Sequence, residues 1–209
     1  MRPDTENEAL PKGVRGTVTA KVGGFSAIQQ LRDGSFEEVT LDTDDLKVQG
    51  QPADAHAVVH GLPADGTGSL GDVIGWIQVD GATVQGLGRV AGAGSAPLRL
   101  GSGTVSTSIR RQVLFIPITV DLTLRPSLRG QYVHLDPTKA QLRSGALSVP
   151  GTQLIRTLLP NGVNVCTAKY LPPNVGLSGL TIKPGSVRLD VAAQELDLQE
   201  LQKGSTGSC

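Results

Sequence analysis

Aromatic residues are scarce in this chain: three Phe, two Tyr and one Trp among 209 residues. That scarcity removes the stacking platforms on which single-strand nucleic-acid binders rely. An excess of one charge is also lacking, because 19 Lys plus Arg balance 19 Asp plus Glu. No net field therefore steers the protein toward a polyanion, and nucleic acid is not an expected partner. No stretch approaches the roughly 20 apolar residues that span a bilayer, and the opening "MRPDTENEALPKG" has no apolar signal-peptide core. Cysteine is limited to Cys166, inside an apolar segment, and Cys209, at the end of the polar tail "LQKGSTGSC". A Cys166–Cys209 disulfide would hold that tail and imply an oxidising compartment, hence an export signal or anchor ahead of this sequence. Two unrelated thiols are the alternative.

Catalytic and metal signatures are missing as well. His56 and His60 are four residues apart, but "ADAHAVVHGL" reads as a strand, on which their Cα atoms lie roughly 13 Å apart, too far for one Zn²⁺. They read as structural histidines. No CxxC or HExxH is present, and "DTDD" (42–45) lacks the Gly and distal Glu of a calcium loop, so it reads as a solvated turn. "GLGRVA" (86–91) matches GxGxxG/A by chance, with no acidic residue about 20 positions on and no βαβ context. GxSxG is absent, and Cys166 lies in an apolar run unlike an activated thiol. The expectation is a non-enzyme without metal or cofactor.

What is present is turn and strand material. Gly at 27 residues and Pro at 13, with much Val, Thr and Leu, read as a mostly β protein with few long helices. The length fits one domain over 13–200, after a disordered segment 1–12 and before a tail 201–209. In "VRGTVTAKV" the alternation of Val14, Val18, Ala20 and Val22 with polar residues gives a strand with one wet face. "FSAIQQLRDG" then gives a short helix, with Ser26 as N-cap, Ile28 and Leu31 on one side and Gly34 as stop. "FEEVTLDT", "DLKVQG" and "ADAHAVVHGL" read as three strands of a meander and "VIGWIQV" as another. After it Asp80 can cap a helix carrying Val84, Leu87 and Ala91. "GTQLIRTLLP" reads as an apolar helix, and two final strands flank "KPGS". The fold class expected is α+β, mostly β: a strongly curved antiparallel sheet with a few short helices.

The stretch "VLFIPITVDLTLRP" is the most informative. Leu114, Ile116, Ile118, Val120, Leu122 and Leu124 occupy every second position, so one face of a long strand is aliphatic throughout. From Leu114 to Leu124 it spans roughly 34 Å, more than the roughly 15 Å an acyl chain crosses in half a bilayer core. Burying six such side chains is worth on the order of 10–18 kcal/mol against protein or lipid alike, so energetics is indifferent between an ordinary core and a lipid wall. Pro117, on the opposite face, indicates an edge or a bulge.

Three segments carry a resemblance: "GGFSAIQQLRDGSFEEVTLDTDDLKV", "VDGATVQGL" and "VCTAKYLPPNVGLSGLTIKPGSVRLDVAAQEL". Together they resemble the LmeA-like phospholipid-binding family of actinobacterial envelope proteins, from about Val14 to Leu198. The resemblance implies an extracytoplasmic domain with a curved sheet similar to tubular lipid-binding (TULIP-like) proteins. It further implies binding of phospholipid, phosphatidylinositol-type included, at a membrane surface in support of envelope lipid or lipoglycan metabolism. It supplies no catalytic residue. On this footing the aliphatic row is expected to line a lipid cavity with Trp76, Leu154, Ile155, Leu158 and Leu159, and Arg125 and Arg129 are candidates to meet a head-group phosphate. A lipid-free envelope scaffold and a lipid hydrolase are the rival readings.

Overall fold

A computed structural model describes residues 14–48, 50–90, 97–113, 116–142, 153 and 161–209. Among these the protein is mostly β, as the composition implies. The strands are β1 (Val14–Val22), β2 (Ser35–Val48), β3 (Gln51–Pro63), β4 (Ser69–Leu70), β5 (Val73–Asp80), β6 (Arg99–Leu100) and β7 (Val105–Val113). They continue with β8 (Ile116–Arg129), β9 (Tyr132–Leu142), β10 (Val163–Cys166), β11 (Val175–Lys183), β12 (Ser186–Ala193) and β13 (Leu196–Asp197). Helices are few and short: α1 (Ala27–Asp33), α2 (Gly81–Val90), α3 (Leu198–Gln202) and a 3-10 turn at Ala168–Tyr170.

One antiparallel sheet was the expectation, but the strands divide among three open sheets. Their orders are β1-β2-β3-β5-β12-β11, β10-β9-β8-β7-β6 and β13-β4. The chain forms two compact units. Of the described residues, one holds those up to Val79 with Thr167–Gly179 and Arg188–Cys209, and the other holds those between Asp80 and Cys166 with Leu180–Val187. The first has its core in Val59, Leu70, Ala193 and Leu196, with Leu41, Leu62, Val73, Val175, Leu198 and Leu201 packed against them. The second is centred on Val120, Leu122 and Ala140, with Ile109 and Leu142.

The local signals act as their chemistry requires. Ser26 is extended and its hydroxyl accepts from Gln29 N at the start of α1, while Gly34, at φ +83°, closes the helix by donating back to its last carbonyls. Asp80 Oδ1 accepts from Thr83 N at 2.7 Å and starts α2. Two departures are instructive. "FEEVTLDT" and "DLKV" are one strand, β2, because residues 42–47 form an irregularity in its register against β3, with Asp45 at φ +54°. The acidic stretch is thus a bulge within a strand and not a turn. Gly86 and Gly88, from the chance GxGxxG match, lie within helix α2 and not on a strand-to-helix turn.

Pro117 pairs with Gln112 of β7. On its other side Leu142, the last described residue of β9, pairs with Val120, so Pro117 lies beyond the described part of that ladder. The expectation of an edge is not met, since β8 is the central strand of its sheet.

Candidate functional site

The aliphatic row sits on β8, in the middle of the five-stranded sheet, and the register extends it sideways. Val105, Thr107 and Ile109 of β7 lie opposite Leu124, Leu122 and Val120. On the other flank Leu142 and Ala140 of β9 lie opposite Val120 and Leu122; β9 then skips Thr138, so that Pro137, Leu135 and Val133 fall opposite Leu124, Pro126 and Leu128. That single bulge keeps β9 aliphatic on the same side. β10 adds Val163 and Val165, opposite Leu135 and Val133. One face of the sheet is therefore apolar across four strands.

Burial along this face is uneven. Val120 is 0% exposed, Leu122 1% and Leu124 5%, whereas Pro126 and Leu128, and with them Val133, Leu135, Val163 and Val165, are only half-buried. Among the described side chains the row is thus covered from Val120 to Leu124, with Ile109 and Leu142 beside Val120 half-buried, and becomes a partly open apolar surface at the β8–β9 hairpin, whose turn is Gly130-Gln131 with Gly130 at φ +59°. Thr107 is the polar exception: its Oγ1 is buried and, among the described residues, makes no hydrogen bond.

The opposite face is polar. β8 contributes Thr119, Asp121, Thr123, Arg125, Ser127 and Arg129, which alternate with the aliphatic residues. Arg125 and Arg129 are therefore on the far side of the strand from the row whose mouth they were expected to guard. Both are exposed, and Arg129 makes a loose ion pair with Asp136 at 3.8 Å. Arg129 ends the strand at the hairpin turn, level with Leu128 and Val133.

Of the other expected wall residues, Leu114, Leu154, Ile155, Leu158 and Leu159 lie outside the described residues. Ile116 and Ile118 are placed in β8, but their side chains lie outside the description. Trp76 belongs to the other unit and stands on the polar face of the six-stranded sheet. Strand register forms a rung there from Thr19 to Asp42, His56 and Trp76, across β1, β2, β3 and β5. His56 Nδ1 lies 2.7 Å from Asp42 Oδ1, and Lys21 Nζ lies 3.3 Å from Asp42 Oδ2. The His56 ring stacks on Trp76 with centroids 5.9 Å apart, and the Arg188 guanidinium lies 4.6 Å from the indole centroid. The hydrogen bond from His56, with help from Lys21, holds the Asp42 carboxyl below its usual pKa of 3.8. A concavity of about 480 Å³ opens on this face, lined by Lys21, Asp42, Asp44, Asp54 and Trp76 among others. Its carboxylates make it a poor place for an acyl chain.

The histidines are structural partners of carboxylates. His60 Nε2 lies 3.5 Å from Glu38, its cross-strand neighbour. His134, 4% exposed, carries a network that the sequence reading missed: Nδ1 is 2.6 Å from Asn164 Oδ1 and Nε2 is 2.9 Å from Asp136 Oδ1. Only the pairing of β10 with β9 brings Asn164 opposite His134, so no local signal could have revealed it. Among the described residues no group of three or more His, Cys, Asp or Glu is arranged to hold a metal ion.

Cys166 and Cys209 are joined as a disulfide, leaving no free thiol. The tail reaches that position through Gly207, whose N–H donates to Leu171 O at 3.0 Å. A disulfide points to an oxidising environment. Among the described residues no helix is long and apolar enough to cross a membrane.

No curated protein and no solved structure matches the chain. A family model described as LmeA-like phospholipid-binding matches residues 9–192, which take in all of β1 to β11 and most of β12. With that match covering most of its length, the chain belongs to the LmeA-like phospholipid-binding family.

Proposed function

We propose that the protein binds phospholipid without catalysing a reaction on it, and that the acyl chains lie on the half-open apolar end of the five-stranded sheet. The observation that carries this reading is the burial gradient along β8. A face serving only as core would be covered along its whole length, yet coverage falls from complete at Val120 to partial at Leu128, Val133 and Val165. Ile118 and Leu114 extend the same row and belong to the proposed wall on alternation alone. In this reading the wall curves as in tubular lipid-binding proteins, and Leu154, Ile155, Leu158 and Leu159 cover it.

For the head group, Arg129 is the better candidate of the two arginines. It stands at the strand end beside the turn, where a long side chain can reach past the edge of the sheet, whereas Arg125 is roughly 13 Å further along the polar face. A phosphatidylinositol-type lipid is the first ligand to try. Membership of the family and the disulfide support action outside the cytoplasm, at a membrane surface of the cell envelope, in support of lipid or lipoglycan metabolism.

The test is native mass spectrometry of the purified protein, with extraction and identification of bound lipid. Wild type is expected to carry one phospholipid, or to take one from detergent-dispersed lipid, and Leu128→Asp with Val133→Asp is expected to lose it while remaining folded. A folded wild type that neither carries nor acquires lipid would return the face to ordinary core and favour the scaffold. Lipid turnover would favour the hydrolase.

A further inference from the structure

Helix α1 is inside out. Its buried side chain is Gln30, 6% exposed, while Phe25 is 109% exposed, Ile28 81% and Leu31 58%, with Val22 at the end of β1 at 44%. A helix that merely packs on its own sheet does the reverse, turning its aliphatic stripe inward. The arrangement is also locked. Gln30 Nε2 donates to Gly23 O at 2.8 Å and Gln30 Oε1 accepts from Glu37 N at 2.9 Å, so the helix is bonded to the backbone on both sides of it. Gly24, at φ +89°, passes so close that a Cβ there would lie 2.5 Å from Gln30 Nε2. Phe25 precedes the N-cap, where an apolar residue usually packs against the fourth helical residue, but that residue is Gln30. Phe25 is left with no such partner.

We propose that the β1–α1 corner is a membrane-insertion element: Phe25, Ile28, Leu31 and Val22 enter the apolar margin of a phospholipid bilayer, with Gln29 and Arg32 at head-group depth. The proposal rests on the reading of the protein as one that meets phospholipid at a membrane, and does not depend on where the bound lipid is held. Three observations favour a bilayer over a protein partner. The patch is one aromatic of about 150–250 Å² and three partly exposed aliphatics, well short of the roughly 800 Å² per partner of a stable protein interface. It comes from ten consecutive residues at one corner, a shape that can dip into a surface of any contour. And the family's ligand is itself the material of the bilayer. Lys21 and Arg32 are offset by Asp33, Glu37 and Glu38, so insertion is driven by apolar contact and not by attraction to anionic lipid.

The experiment is flotation of the full chain with vesicles of pure phosphatidylcholine, at low and high salt, for wild type and for Phe25→Asp with Ile28→Asp. Wild type is expected to float equally at both salt concentrations, and the variant to partition at least tenfold less while keeping its circular dichroism, its melting temperature and its lipid content from detergent-dispersed lipid. In a Trp76→Phe background, Phe25→Trp is expected to shift its emission to the blue on vesicles and to be quenched by brominated acyl chains. Failure of the wild type to float, or equal flotation of the aspartate variant, would overturn the proposal. So would self-association of the wild type that the variant abolishes without change in flotation, which would make the corner a contact between copies. Loss of bound lipid in Leu128→Asp with Val133→Asp, with flotation intact, separates this element from the sheet face.

Discussion

Replacing Gln30 by Leu removes the anchor that keeps α1 in its inverted orientation. In the native protein its amide satisfies one carbonyl, Gly23 O, and one amide, Glu37 N, at 2.8 and 2.9 Å. Each such bond is worth about 0.5–1.5 kcal/mol net, and Gly23 and Glu37 are not fully buried, so water can replace part of what is lost. Leucine has nearly the volume of glutamine and recovers some burial in the slot. The expected loss is therefore about 1–2 kcal/mol, and it falls locally. α1 is only seven residues long and cannot persist without tertiary support. Native-state hydrogen exchange should show the amides of Gln30 to Gly34 losing about tenfold or more of their protection, while those of β8 and β9 in the other unit are unchanged. The urea midpoint should fall modestly. If α1 keeps its protection in Gln30→Leu, the two amide bonds are not what holds the helix, and the account of its orientation fails. Gly24→Ala should loosen α1 further than the amide displacement alone, since the added methyl meets the Gln30 amide and alanine is strained at φ +89°.

Two further perturbations test other parts of the structure. The Cys166–Cys209 bridge closes a loop of roughly 40 residues, for which chain entropy gives about 4 kcal/mol, so the Cys166→Ser, Cys209→Ser double variant should lose several kcal/mol in urea denaturation; a loss below about 1 kcal/mol would mean that the bond does not constrain the unfolded chain as supposed. Asp80 caps α2, and the hydrogen bond from Thr83 N holds its pKa below 3.8. Its contribution is thus complete above pH 3.8 and is lost as pH falls through the lowered value. Asp80→Ala should cost about 1 kcal/mol at pH 7, whereas Asp80→Asn, still an acceptor, should cost less and remove that part of the acid dependence, read from melting temperatures between pH 2 and 7.

What could be read from the sequence was whatever depends on neighbours in the chain. The ends of α1 follow from Ser26 and Gly34, and the start of α2 from Asp80, because caps act within three or four residues. The aliphatic row of β8 was legible because alternation needs only one strand. The width of that face was not: Val105 and Ile109, and likewise Val163 and Val165, join it only through register, and β9 does so only because it skips Thr138. Arg125 and Arg129 show the same limit. They were expected just beyond the strand, yet β8 continues to Arg129 through pairing with β9, and the two-residue period then puts both on the face opposite Leu124. The rung from Asp42 to Trp76 likewise depends on three pairings at once.

The two apolar surfaces obey opposite rules. Along β8 the fold covers what it can, and the half-open remainder lies where the sheet ends in a hairpin. At α1 the fold spends a buried polar side chain to keep aliphatic ones out. Burying Phe25, Ile28, Leu31 and Val22 to the extent they are now exposed would be worth about 5–8 kcal/mol, comparable to the whole stability of many domains. Single exposed apolar residues need no explanation, but four within ten residues, held outward by two amide bonds to the backbone, do. Propensity does not supply one: the seven residues of α1 would be as helical with Gln30 outward and Ile28 inward. The orientation is set by the Gly23 carbonyl and the Glu37 amide, at the ends of β1 and β2, where the chain turns away from the sheet. The proposed bilayer contact would account for that arrangement, and it requires the least area and the least fixed shape of the contacts available.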